Sequence, residues 1–120
     1  MEDFEFEVHA QNRYIWHSPQ KVRLVVDRVR GMDAVRALGV LKLMPQSAAR
    51  PVHKLLESAV ANAENNFGMV PEDLYIAEIS ADEGPVRRWR RFGARGRWKP
   101  IRKRSSHVQV VLKERTPSEY

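Results

Sequence analysis

A chain of 120 residues suits one domain with one modest core, and the absence of cysteine excludes disulfide frameworks, thiol catalysis and Cys-based zinc sites. Apolar runs are only a few residues long, far short of a membrane span, and the opening Met1-Glu2-Asp3-Phe4-Glu5-Phe6-Glu7 is acidic where targeting signals are basic; the sequence reads as a soluble intracellular protein. The net charge of +6 hides an asymmetry: residues 85–104 carry ten basic side chains and no acid, whereas the other hundred carry eleven basic and fifteen acidic ones, a net of −4.

Phe4, Phe6, Val8 and Ala10 alternate with Glu5, Glu7, His9 and Gln11, the pattern of a half-buried strand. Ser18-Pro19 marks a helix start, with serine at the N-cap and proline at the first helical position. Val22, Val25, Val26 and Val29 then fall on one face, Arg23, Asp27 and Arg30 on the other, and Gly31 is the stop. Asp33 caps a second, shorter helix whose buried side is expected to hold Val35, Leu38 and Leu41; Gly39 inside it costs about 1 kcal/mol relative to alanine. Pro45 is expected to open a third helix running to about residue 66, with Ala48, Val52, Leu55, Leu56, Ala59 and Ala63 inward and a kink at Pro51; a start at Pro51 is the alternative. Gly68 and Pro71 end the helical pattern. Residues 74–81 and 106–113 read as two more strands, with Val108, Val110 and Leu112 on one face of the last.

Between those strands lies the basic segment, bounded by Gly84-Pro85 and Pro100, with Gly93 and Gly96 placed to permit a reversal. About twenty residues joining two strands predict an extended hairpin reaching roughly 25–30 Å beyond the sheet. Its core sequence, Val86-Arg87-Arg88-Trp89-Arg90-Arg91-Phe92-Gly93-Ala94-Arg95-Gly96-Arg97-Trp98-Lys99, interleaves cations with three aromatics. Arginine outnumbers lysine fifteen to six in the whole chain, which favours forked contacts to phosphate and stacking on bases over a diffuse field of point charges. An arm with almost no apolar core needs a partner surface, and structured RNA, with its splayed bases, suits it better than regular duplex.

Catalytic arrangements are missing. Asp82 and Glu83 are adjacent, so on a strand they point to opposite faces; balancing charge at the hairpin root is the simpler role. His9, His17, His53 and His107 are scattered without metal-ligand spacing. Gly93-x-x-Gly96 is not followed by the Gly-Lys-Ser/Thr of a phosphate loop, and Ser105 and Ser106 have no evident base. The reading is of a non-enzymatic protein with no metal, no cofactor and no small-molecule substrate.

Five motifs, in order, resemble the L-twenty-two family of large-subunit ribosomal proteins, bacterial type: Ser18-Pro19-Gln20-Lys21-Val22-Arg23-Leu24-Val25-Val26 with Arg30-Gly31; Ser58-Ala59-Val60-Ala61-Asn62-Ala63-Glu64-Asn65-Asn66; Asp82-Glu83-Gly84-Pro85; Ala94-Arg95-Gly96-Arg97; and Arg102-Lys103-Arg104-Ser105-Ser106-His107. The resemblance implies an α+β fold, three helices packed on a small three-stranded antiparallel sheet with a long extended basic β-hairpin. It implies further that the hairpin threads into large-subunit ribosomal RNA, its tip lining the nascent-peptide exit tunnel, and that the body sits near the tunnel exit. Expected partners are that RNA, neighbouring large-subunit ribosomal proteins and the nascent peptide passing the tip, with no membrane; the expected location is the large subunit in the cytoplasm. The chain departs from the family pattern at Phe92-Gly93, where a Pro-Arg pair is usual, at Trp98, where a small residue is usual, and at Trp16-His17.

The expected organisation is one domain over residues 1–120: a body of about 4–84 and 105–115, a hairpin of about 85–104 and a tail of 116–120. The expected RNA-binding set is Arg13, Ser18, Lys21 and Arg23 on the body, and Arg87, Arg88, Trp89, Arg90, Arg91, Phe92, Arg95, Arg97, Trp98, Lys99, Arg102, Lys103, Arg104 and His107 on or beside the arm. A free-standing module using the same arm on DNA or diverse RNAs is the competing reading, and an enzyme acting on RNA a distant third.

Overall fold

The computed structural model describes the backbone of residues 7–84, 87–92 and 98–115, and their side chains other than those of Tyr14 and the two hairpin strands. Strand β1 (Glu7–Ile15) leads through a short turn into α1 (Pro19–Val29), α2 (Ala34–Leu43) and α3 (Ala49–Phe67); a single 3-10 turn, Pro71–Asp73, then enters β2 (Leu74–Glu83). Strands β3 (Arg87–Phe92) and β4 (Trp98–Lys103) pair with each other, and β5 (Ser106–Glu114) returns between β1 and β2. The result is a three-stranded antiparallel sheet of order β1-β5-β2 with the helices on one face, and a separate two-stranded hairpin: the α+β architecture that the sequence implied. The molecule measures 70 × 29 × 22 Å, and its radius of gyration of 17.8 Å exceeds the roughly 14 Å of a compact chain this long. It is elongated.

Helix α1 follows its pattern closely. Val22, Val25, Val26 and Val29 are fully buried, each side chain contributing about 1.5–3 kcal/mol of transfer free energy, and Gly31 ends the helix at φ 79°. Arg23 and Arg30 do lie on the opposite side, yet both fold back: Arg23 Nε donates to Ala81 O at 3.0 Å and Arg30 Nη2 to Ile79 O at 2.9 Å. Two carbonyls of β2, an edge strand, are thereby covered.

Helix α2 corrects one expectation. Val35 is 49% exposed, and the buried residues are Ala34, Ala37 and Leu41, with Leu38 packed partly against the core. Spacing alone fits Val35 and Leu38 to a face; packing against α3 selects the small alanines because they permit closer approach. Asp33 stands at the N-cap without a side-chain cap bond. Its carboxylate instead accepts from Arg115 Nε at 2.9 Å, and the Arg115 guanidinium lies 4.5 Å from the Tyr75 ring centre.

Helix α3 corrects another. It starts at Ala49, neither at Pro45 nor at Pro51, and is one helix through Phe67. Pro51 falls in the first turn, where backbone N–H groups have no intrahelical acceptor to lose, so no kink is needed. Ala49 N and Arg50 N are bonded to Gln46 O and Ser47 O at 3.1 and 3.4 Å, a turn that feeds the helix. The expected inward residues, Ala48, Val52, Leu55, Leu56, Ala59 and Ala63, are all buried.

Two strands carry one extra residue each. In β1 the register against β5 shifts between Asn12 and Ile15, and in β2 it shifts between Ile76 and Glu78. Val8 and Ile15 therefore both face inward, as do Leu74, Ile76, Ile79 and Ala81, although strict alternation would separate them. The first strand is longer at its C-terminal end than its alternation suggested; Phe4 and Phe6 lie outside the described residues, as do Gly93, Gly96 and the tail of 116–120.

Candidate nucleic-acid interface

The hairpin leaves the sheet from a tightly packed root. Gly84 N donates to Ser105 O at 2.9 Å, and Ser106 Oγ donates to His17 O at 2.7 Å, tying β5 to the turn before α1. Ser105 and Ser106 are completely buried. A Cβ on Gly84 would stand 2.5 Å from Ser105 Oγ and 3.3 Å from His107 Cε1 and Nε2, so only glycine fits. Asp82 and Glu83 pair in register with His107 and Ser106, which puts the two acids at the base of the arm.

Beyond the root the ladder sets cation against cation. Arg87 pairs with Lys103, Arg88 with Arg102 and Arg91 with Lys99; the remaining pairs are Trp89 with Ile101, Arg90 with Pro100 and Phe92 with Trp98. Like charges directly opposite each other destabilise an isolated antiparallel pair, and no acid lies between residues 85 and 104 to relieve them. A ladder of this composition is favoured when a polyanion neutralises it. The side chains of these residues, and Arg95 and Arg97 entirely, lie outside the described set.

On the body, Arg13 falls in the β1 bulge: Arg13 and Tyr14 together stand opposite the single β5 residue His107. Arg13 and Arg104 are exposed and His107 half-buried, so the structure gathers these three around the root. Ser18 and Lys21 lie at the start of α1. Ser18 occupies the N-cap without a side-chain cap bond, and Lys21 is exposed. Arg23, one turn further along α1, is exposed and donates its Nε to a β2 carbonyl. In the sequence Gly84 reads as a boundary and Ser105 and Ser106 as bystanders, whereas they form the root; the dipeptide Gly84-Pro85 ahead of a charge block is the signal that points there.

Among the described residues no group of His, Asp and Glu is placed to hold a metal ion, and no helix is long and apolar enough to cross a membrane. The family described as Ribosomal protein L22p/L17e matches residues 10–113 of the chain. The chain is similar to the Large ribosomal subunit protein uL22 of Caldicellulosiruptor saccharolyticus, 53% identical over 106 residues that cover 88% of this chain and 87% of that relative. It is similar also to the proteins of that name from Chloroflexus aggregans, 50% identical over 92% of this chain and 97% of the relative, and from a Synechococcus species, 49% identical over 94% and 91%.

Proposed function

From the premise that this chain belongs to the ribosomal protein L22p/L17e family of large-subunit ribosomal components, we propose that it binds ribosomal RNA as a structural protein and catalyses no reaction. The observation that carries this reading is the hairpin ladder, with cations opposed at three of its six pairs and no internal acid. The arm inserts among RNA segments, its arginines on phosphates and Trp89, Phe92 and Trp98 against bases or neighbouring groups. Arg13, Arg104 and His107 engage the RNA where the arm enters, and Ser18 and Lys21 meet a phosphate at the start of α1. The elongated shape supports an arm that reaches the nascent-peptide exit tunnel while the body stays near the tunnel exit, beside other ribosomal proteins, in the cytoplasmic large subunit.

Replacing residues 87–99 with a short glycine-containing turn tests the division between arm and body. The shortened chain is expected to unfold cooperatively, because the described core lies wholly outside the replaced segment. It should also leave large subunits during a high-salt wash that the parent survives, as followed by co-sedimentation. A shortened chain that stays bound would refute the arm as the principal RNA anchor.

A further inference from the structure

The two edges of the sheet are finished differently. Along β2 the outward backbone groups are taken: Ile76 N donates to Met32 O at 2.9 Å, Asp33 pairs with Tyr75, and Arg30 and Arg23 reach the carbonyls of Ile79 and Ala81. The other edge is β1. Its residues from Glu7 to Asn12 run in unbroken register with β5, and among the described residues no group from outside the sheet bonds to their backbone. In an antiparallel ladder alternate residues turn N–H and C=O away from the partner strand, so this stretch presents a row of such groups. On its open face stand the exposed His9 and Gln11, which with Ala10, Gln109 and Val110 line a hollow of about 320 Å³.

Charge decides what kind of chain fits there. Glu7 is preceded in the sequence by Glu2, Asp3 and Glu5, four acids in the first seven residues with no basic side chain among them. Glu7 itself already meets Lys113 Nζ at 3.3 Å and His9 Nε2 at 3.1 Å. The hollow is lined by neither lysine nor arginine. Arg13, the arginine of β1, stands in the bulge at the far end, beside the arm root. This end of a molecule otherwise rich in cations repels phosphate and attracts a basic chain.

We infer that the β1 edge is a docking site for a cationic, extended segment of another polypeptide, which pairs with residues 7–12 and adds a fourth strand to the sheet. Main-chain hydrogen bonds supply the affinity, the acids at 2, 3 and 5 the preference for cations, and the hollow beside His9 and Gln11 a seat for one side chain. A second copy of this chain fits less well, since its own β1 brings one arginine and the same acidic run. The inference deepens the reading of a ribosomal component that stands beside other proteins, and it is separate from the arm's hold on RNA.

The test is amide hydrogen exchange, read by NMR on the full chain mixed with a peptide of about ten residues in which lysine and valine alternate. Exchange should slow at alternate residues of the 7–12 stretch, whose N–H groups face outward, while β2 keeps its rates. A version N-methylated at alternate positions should give no such protection, because its pairing edge has lost its donors. An alternating glutamate and valine peptide should give none either. Neutralising three acids, Glu2→Gln/Asp3→Asn/Glu5→Gln, should weaken the lysine peptide about fivefold while leaving Glu7 on Lys113. Equal protection by the N-methylated or the glutamate peptide overturns strand addition by a cationic chain. Protection of β1 that grows with protein concentration and needs no peptide makes a second copy the occupant; protection by large-subunit RNA alone makes RNA the occupant. Either result overturns the inference. Failure of the lysine peptide to protect β1 also overturns it and leaves the arm standing, whereas a parent chain that binds no RNA overturns the function proposed above and not the edge.

Discussion

Gly84 and Ser105 meet where the arm joins the body, and the space between them is closed. An alanine methyl at position 84 would stand 2.5 Å from Ser105 Oγ, and Ser105, completely buried, has no solvent into which to turn. Gly84→Ala is therefore expected to destabilise the protein by about 1–3 kcal/mol, the usual range for overpacking. Removing the hydroxyl should return part of that loss. Ser105→Ala costs stability alone, because a buried polar contact disappears, but the double variant should be less destabilised than the sum of the two singles. Thermal melts of the four proteins form the cycle that measures this coupling. Strict additivity would mean that the two side chains do not compete for one space, and the root would then tolerate movement of the arm.

At the scale of elements, Pro51 offers the sharpest test, because its position within α3 decides the sign of a mutation. A proline inside a helix costs about 3 kcal/mol, so replacing it with alanine would stabilise the protein. In the first turn it removes only a donor that had no intrahelical acceptor, and its rigidity restricts the unfolded chain. Pro51→Ala is accordingly expected to lower stability slightly, by about 0.4–1 kcal/mol, as read from denaturant midpoints. A gain of several kcal/mol would place the proline in a strained helix interior. The same element shows why some boundaries are legible in the sequence and others are not. The valines of α1 repeat on one face and are bracketed by Ser18-Pro19 and Gly31, so local chemistry fixes the helix. The start of α3 depends instead on which turn Gln46 and Ser47 adopt, and two prolines six residues apart each offer a plausible answer. In β2 the extra residue between Ile76 and Glu78 breaks the alternation, and a bulge is defined by the partner strand, some thirty residues away. Spacing misplaces Val35 for a related reason: the contact that chooses alanines for the buried side of α2 belongs to α3.

Across the whole molecule, charge legible as a block and charge assembled by folding behave differently. The arm declares itself, since ten cations stand within twenty residues; Arg13 and Arg104, about ninety residues apart in sequence, come together at the root only when β1 and β5 pair. What the sequence leaves open in the arm is how it holds RNA. If its cations merely attract phosphate, lysine should replace arginine at little cost, and affinity should depend on salt alone. If the arm is an ordered insert, Arg88, Arg90, Arg95 and Arg97 use planar forks that lysine cannot reproduce, and Trp89, Phe92 and Trp98 add a salt-insensitive component of about 1–3 kcal/mol for each ring that stacks. The register places Trp98 opposite Phe92 and Trp89 opposite Ile101, so aromatic positions interrupt the cationic ones along the ladder. Changing the three aromatics to alanine is therefore expected to weaken binding to large-subunit RNA while leaving the salt slope close to that of the parent. Changing the four arginines to alanine should flatten the slope by a little under one unit for each phosphate that is no longer neutralised. Changing them to lysine should keep the slope and lower affinity at every salt concentration. An aromatic triple variant that binds as tightly as the parent would remove stacking from the mechanism. The opposed cations would then be held by phosphate charge alone, and the three rings would pack against protein rather than bases.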